Sequence, residues 1–284
     1  MDFKYIELLN TKMTEVRTIP EVIALYKLFD ALNVPIDFGA TTIKKGTKLY
    51  RIRMYNEDTD YGEDAQWSPP PHKPENRLNT EGQEALYLGS TELVCQLETH
   101  IKLGEQYVLG EYECIEDIKL GGFLMGDLFT KLGSAFAAGT DISGLYKLGC
   151  VLNSVLIAPV LNDRNKLLFQ KLREHYGALK LDDLDIDDDS VEFPCKIALC
   201  IKSDTKYSLT NEISSILVKT TPEGIRYSSC YIPLDSPGIS CSDYNVVLYE
   251  PGIPKVKFKG YEIKTCSNTI TGEAILTLGM GCKQ

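Results

Sequence analysis

Residues 76–103, NRLNTEGQEALYLGSTELVCQLETHIKL, contain the local signals that decide the fold of this chain. The segment begins with a polar loop that carries one arginine, Arg77. The apolar run at 85–88 is too short for a helix and is followed by Gly89, so it predicts a buried strand. A loop with a cation therefore leads directly into the core.

A helix is predicted immediately after that strand. Ser90 or Thr91 is its cap, and its end is expected at Gly104. The apolar residues that recur at helical spacing are Leu93, Val94, Leu97 and Ile101. Glu98 lies at the border of this stripe, so its carboxylate is expected either to be half-buried with a partner or to face a cleft.

The composition bounds the class of protein. The chain has 284 residues, 43% hydrophobic and 25% charged, as in a globular protein with one large domain, alone or with an appendage. The net charge of −10 argues against direct nucleic-acid binding, which needs clustered cations, but allows a local positive pocket for a small anion.

The sequence also lacks several common signals. It has neither an apolar run of eighteen residues nor an N-terminal secretory signal, so a cytoplasmic protein without a membrane segment is expected. Nine cysteines without a CxxC pair indicate reduced thiols. Three histidines outside any HxxxH context predict no metal site.

The sequence divides into two expected regions, the second of which contains the central segment. Residues 1–45 read as an N-terminal helical appendage, with a capping box at Thr18-Ile19-Pro20-Glu21. We interpret it as a packing element, and the alternative is a partner-binding or regulatory hairpin. Residues 46–284 form the main domain, with a helical and acidic insertion around 121–205 that includes an acidic, solvated run at 181–192.

Alternating residues predict a half-buried strand at 48–55, in which Arg51 and Arg53 point to the same side. These arginines either face a cleft or lie on the surface of an edge strand. The proline-rich segment 56–73 must be a loop, which either covers a pocket or is surface pinned by Trp67.

The remaining pattern mixes strands and helices, which indicates an α+β fold. Further strands are predicted at 107–115, 225–231, 245–249, 255–265 and 274–278, and helices within 121–157, at 163–176 and around 209–217.

Five segments carry a pattern in a fixed order: Leu49-Tyr50-Arg51, Asn76-Arg77-Leu78-Asn79, the run at 85–90, Glu98, and residues 224–229 with the strand at 245–248. Together they resemble the RES-domain family, named for its arginine, glutamate and serine. Asn76 and Ser228 stand where the family has glycine and proline. The resemblance implies an ADP-ribosyltransferase-like split β-sheet with flanking helices and degradation of NAD+.

The resemblance also implies that Arg51, Arg77, Tyr87, Glu98 and Ser229 line one cleft. Arg77 or Arg51 would grip the pyrophosphate, and Tyr87 would pack on the nicotinamide. Glu98 would stabilise the oxocarbenium-like ribose, with Arg77 and Ser229 completing the catalytic set. Ser228 remains an alternative to Ser229 for the positioning serine.

The residues by themselves allow simpler interpretations. Glu98 can pair with Lys102 on the helix surface, Tyr87 can be a core residue, and Ser229 can be a strand hydroxyl bound to the backbone.

The activity implied is an NAD+ phosphorylase or glycohydrolase, the toxin of a toxin–antitoxin or defence system. No cofactor is expected beyond NAD+ as substrate, with inorganic phosphate as a candidate co-substrate. A cognate antitoxin or immunity protein and a second copy of the chain are the candidate protein partners. The alternatives are mono-ADP-ribosylation of a protein and a non-catalytic nucleotide-binding or interaction module.

Overall fold

Eight strands and seven α-helices make up an α+β fold in the computed structural model, which describes residues 3–34, 36, 41–123, 137, 139–158, 166–188, 193–200, 207–229, 231 and 243–267. The helices are α1 (Phe3–Glu15), α2 (Ile19–Ala31), α3 (Glu92–Thr99), α4 (Ser143–Ile157), α5 (Lys166–Tyr176), α6 (Phe193–Cys200) and α7 (Ser208–Thr220). The strands are β1 (Thr41–Ile43), β2 (Lys48–Met54), β3 (Ala85–Gly89), β4 (Gln106–Cys114), β5 (Ile118–Phe123), β6 (Gly224–Tyr227), β7 (Asn245–Tyr249) and β8 (Val256–Thr265).

The strands form one mixed sheet in the order β1-β5-β6-β7-β3-β2-β4-β8, and β5 with β6 is its parallel pair. Three residues, 115–117, join β4 to β5, although four strands stand between them in the sheet. Such a link spans at most about 14 Å, whereas five strand spacings in a flat sheet amount to about 24 Å. The sheet must therefore curl until its two ends approach each other.

The curl encloses one face of the sheet, which we call the inner face. Its buried residues come from both ends of the strand order, including Ile43 of β1, Leu120 of β5 and Val108 of β4. The strands in the middle add Leu86 and Val246. This shared cluster holds the curl closed by burying apolar surface.

The opposite face, which we call the helix face, is covered by two groups of helices. Helices α1, α2, α4, α6 and α7 share one core with Ile225 and Val247 of the sheet. Helix α3 instead packs with Tyr107 and Leu109 of β4 through Cys95. Because residues of α1 and α2 belong to the main core, the first two helices are an integral layer over the sheet.

The structure differs from the prediction at the end of α3 and agrees with it at the start of α2. Helix α3 ends at Thr99, five residues before Gly104, because His100 adopts a left-handed conformation (φ 53°, ψ 39°) that stops the helix. The capping box of α2 is confirmed, with the Glu21 carboxylate accepting the Thr18 N–H at 3.0 Å. The strand predicted at 274–278 lies outside the described residues.

The acidic run at 181–192 is only partly solvated where it is described. Leu184 and Ile186 are buried in the main core. Asp188 pairs with Lys196 of α6 at 2.5 Å, so this segment is fastened to the helices. Among the described residues, no helix is long and apolar enough to cross a membrane.

Candidate functional site

A cavity of about 200 Å³ opens on the helix face, where the side chains of β3 and β6 meet the end of α3. Its lining residues come from separate parts of the chain and are Asn76, Arg77, Tyr87, Glu98, His100, Tyr207, Tyr227 and Tyr231. One carboxylate, one guanidinium and several aromatic rings therefore share a small space.

The loop that carries Arg77 is clamped to the sheet by two tyrosine hydroxyls. Tyr87 Oη accepts the Leu78 N–H at 3.0 Å and donates to Asn79 Oδ1 at 2.9 Å. Tyr249 Oη donates to the Leu78 carbonyl at 2.6 Å. Burial raises the pKa of Tyr87, an effect that the Leu78 N–H partly offsets. Tyr87 is therefore a neutral donor that fixes the loop, while its ring lines the cavity.

Arg77 lies against the carboxyl end of α4. Its Nη1 donates to the Leu156 carbonyl at 3.3 Å. The last carbonyls of a helix lack intrahelical donors and carry the negative end of its dipole, which favours a cation there. The same loop is anchored on α7, because Asn211 Nδ2 donates to Glu75 Oε1 at 3.0 Å. The positive charge is thus held at one wall of the cavity.

Helix α3 can carry Glu98 to the cavity because it packs closely on β3. A Cβ atom at Gly89 would lie 2.5 Å from Cys95 Sγ, so only glycine allows this approach. The Cys95 thiol donates to the Tyr50 carbonyl at 3.3 Å, and burial raises its pKa to about 12. The helix begins as predicted, with the Val94 N–H donating to the Thr91 hydroxyl.

Glu98 is half-buried and has a partner inside the protein. Its Oε1 accepts a hydrogen bond from Asn245 Nδ2 at 2.7 Å. It also lines the cavity, so both descriptions expected from its place at the edge of the apolar stripe apply.

His100 reaches the cavity because of its backbone conformation. The left-handed turn after α3 places its ring edge-on to the Tyr231 ring, with 4.5 Å between the ring centroids. Residues other than glycine are uncommon in this region of backbone space, and histidine is one of the types found there more often than the rest.

Ser229 is buried, with 5% of its surface exposed, and is absent from the cavity lining. Its Oγ accepts the Tyr231 N–H at 3.1 Å. The serine therefore acts on the chain next to the cavity, where it fixes the residue that carries one of the aromatic rings. Ser228, the alternative, is half-buried.

Arg51 is not brought to the cavity. It alternates with Tyr50 and Ile52 of the helix-face cluster and so lies on the inner face with Leu49. Its Nη1 donates to the carbonyls of Trp67 at 3.4 Å and Ser68 at 3.2 Å. The structure thus gives Arg51 a role in holding the 56–73 loop, and the expected cleft of five residues is reduced to three.

Five residues at or beside the cavity were not foreseen from the sequence: His100, Tyr207, Tyr227, Tyr231 and Asn245. Neighbouring residues of a strand point to opposite faces, so alternation along β6 places Tyr227 on the face opposite to Arg226. This alternation was a signal for Tyr227. For the others, the sequence offers no recognisable pattern.

The arrangement can hold an anion at Arg77, a flat ring among the tyrosines and a developing positive charge beside Glu98. Among the described residues, no group of three or more His, Cys, Asp or Glu side chains could hold a metal ion. Comparison of the chain with family models, curated proteins and solved structures finds no match.

Proposed function

We propose that this protein cleaves the nicotinamide–ribose bond of NAD+, as the resemblance to the RES family implies, on an ADP-ribosyltransferase-like version of its α+β fold. One observation carries the proposal. Arg77, Tyr87 and Glu98, which the resemblance selects from three separate segments, line the same cavity.

For cleavage of the nicotinamide–ribose bond, the main contribution required of the protein is electrostatic stabilisation. Nicotinamide leaves NAD+ as a neutral molecule from a cation, so no general acid has to protonate it. Positive charge develops on the ribose as the bond breaks. A fixed carboxylate beside the ribose stabilises that charge, and Glu98 is the acidic residue that lines the cavity.

The other residues bind the substrate. The Arg77 guanidinium supplies a planar donor set for the pyrophosphate. The aromatic walls of the cavity accept the nicotinamide ring by stacking or edge contacts. Ser229 supports one of those walls through Tyr231. The acceptor of the ADP-ribosyl group is water or inorganic phosphate.

The biological role rests on the resemblance. An enzyme that consumes cytoplasmic NAD+ harms its own cell unless it is restrained, which is why members of this family are commonly paired with an antitoxin. An antitoxin or immunity protein is the partner we propose, and NAD+ is the only small molecule required besides the acceptor.

The direct test is incubation of the purified protein with NAD+, with and without phosphate, followed by mass analysis. Release of nicotinamide with ADP-ribose identifies a glycohydrolase, and release with phosphorylated ADP-ribose identifies a phosphorylase. Glu98→Gln protein purified in parallel controls for contaminating activities. Intact NAD+ in both reactions of a folded sample would refute the proposal. ADP-ribose attached to added proteins would favour a mono-ADP-ribosyltransferase.

A further inference from the structure

We infer that Asn245 is the positioning residue for the Glu98 carboxylate: its buried side-chain amide fixes the direction in which the catalytic charge points. This inference rests on the proposed function and adds a residue that acts only through Glu98.

The position of Asn245 is defined by two neighbouring strands. As the first residue of β7 it pairs with Gly89 of β3 on one side and with Tyr227 of β6 on the other. It alternates with Val246 of the inner face, so its side chain points to the helix face. Only 5% of its surface is exposed, so the amide lies inside the protein.

The chemistry of the two groups determines which one donates in the hydrogen bond between Asn245 and Glu98. An ionised carboxylate only accepts hydrogen bonds, so the amide nitrogen of Asn245 must face it, as it does at 2.7 Å from Glu98 Oε1. The two oxygens of a carboxylate are joined in one plane. A hydrogen bond to Oε1 from a residue of the sheet therefore restricts the orientations that the group can adopt.

Orientation matters because electrostatic catalysis depends on charges that are placed before the reaction begins. Glu98 stands on the last turn of an eight-residue helix, and its own side chain has rotatable bonds. The amide on the central strand supplies a fixed point that the helix lacks. Displacement of a catalytic group by about 1 Å can cost about a hundredfold in rate.

The first experiment replaces Asn245 by alanine. We expect kcat for NAD+ cleavage to fall about ten- to a hundredfold while KM changes less than about threefold, since binding contacts at Arg77 remain. Ser90→Ala is the matched control. It removes the hydroxyl that accepts the N–H of Tyr244, the residue next to Asn245, without touching the carboxylate. Its kcat should stay within about twofold of wild type.

The second experiment, Asn245→Asp, keeps the shape and changes the donor into a titratable group. Between the two titration steps of the new carboxyl pair, one proton is shared by the two groups, so the pair keeps a single negative charge and a hydrogen bond, as Glu98 and the amide do. Above the upper step both groups are charged and repel each other. We expect near wild-type kcat between the two steps and a progressive loss as pH rises through the upper step, with a wild-type profile that lacks this step.

The other ionisable groups around the cavity are common to both proteins and therefore cancel in the comparison. They are Arg77, Tyr87, His100, Tyr207, Tyr227 and Tyr231. Circular dichroism at each pH verifies that the variant remains folded.

The outcomes separate the two proposals. Wild-type protein that leaves NAD+ intact refutes the proposed function. Active wild-type protein together with folded Asn245→Ala protein of unchanged kcat refutes the positioning role alone. If the alanine variant does not fold, the aspartate variant decides, and a pH profile parallel to that of wild type overturns the inference.

Discussion

The two faces of the sheet carry charged side chains in different surroundings. On the inner face, the guanidinium groups of Arg51 and Arg53 donate to the carbonyls of residues 66–68. On the helix face, Arg77 and Glu98 line an open cavity. Both pairs of charged groups have partners inside the protein, but Arg77 and Glu98 also line the cavity, whereas Arg51 and Arg53 hold the loop. The position of an arginine relative to the cavity therefore distinguishes Arg77 from Arg51 and Arg53, which residue type alone does not.

Trp67 covers part of the inner face. Its ring stacks on Phe258 with 4.8 Å between the centroids, and its Nε1 donates to the Tyr61 carbonyl at 2.8 Å. The ring covers Gly110 so closely that a Cβ there would lie 2.2 Å from it. The 56–73 loop thus seals the sheet, on the face opposite the cavity.

The largest effect is expected from Trp67→Ala. The side chain is 2% exposed, and truncation of a buried tryptophan costs about 3–5 kcal/mol of unfolding free energy. Denaturant unfolding measures the loss. If the faces are independent, kcat per folded molecule should stay close to wild type. A large loss of kcat in the folded fraction would show that the inner face supports the cavity.

Glu98→Gln should do the reverse. The amide fits the same space, so the unfolding free energy should change by less than about 1 kcal/mol. Loss of the negative charge is felt mainly in the transition state, and the rate should fall about a hundred- to a thousandfold. Single-turnover cleavage and thermal melting measure the two effects. Wild-type cleavage in this variant would remove Glu98 from the mechanism.

Strand alternation predicted correctly that Arg51 and Arg53 point to the same side, but it could not tell which side. Alternation places both arginines on one face of the strand but does not say which face of the sheet that is. Only the curl of the sheet determines which face becomes the inner face and which becomes the helix face. The helix after β3 was also predicted, yet its end was not. Gly104 is the ordinary stop signal, and nothing in the sequence indicates that His100 would adopt the left-handed conformation first.

The candidate site could be predicted only where the family resemblance named residues. Arg77, Tyr87 and Glu98 are close in sequence, so a loop, a strand and a helix suffice to bring them together. Asn245 meets Glu98 across 147 residues of chain, through a strand pairing that local patterns do not encode. Long-range contacts of this kind depend on the strand order, which the sequence pattern leaves open.

A pair of arginine variants tests the comparison between the faces directly. Arg77→Ala should weaken NAD+ binding about ten- to a hundredfold, because charge-assisted hydrogen bonds contribute about 1.5–3 kcal/mol. Arg51→Ala should leave binding unchanged and lower the unfolding free energy by about 1–2 kcal/mol, through lost contacts to the loop. Calorimetric titration and denaturant unfolding of both variants give the four values. Weakened binding in Arg51→Ala would place that guanidinium at the ligand.

The smallest effect is expected from His100→Gly, where two contributions oppose each other. A residue other than glycine in the left-handed region costs about 1–2 kcal/mol, which glycine removes. Glycine also gives the unfolded chain more freedom and removes the ring contact with Tyr231. These two changes together lower the unfolding free energy by about the amount that relief of the backbone strain adds. The unfolding free energy should therefore change by less than about 1 kcal/mol.

In the cavity, loss of one ring from the wall should raise KM for NAD+ a few-fold and leave kcat nearly unchanged, since the positioning of Glu98 comes from Asn245. His100→Asn, which tolerates the same backbone conformation, is the control for the backbone. If either folded variant loses kcat by more than about a hundredfold, the imidazole takes part in the chemistry, and the mechanism must include it as an acid or base.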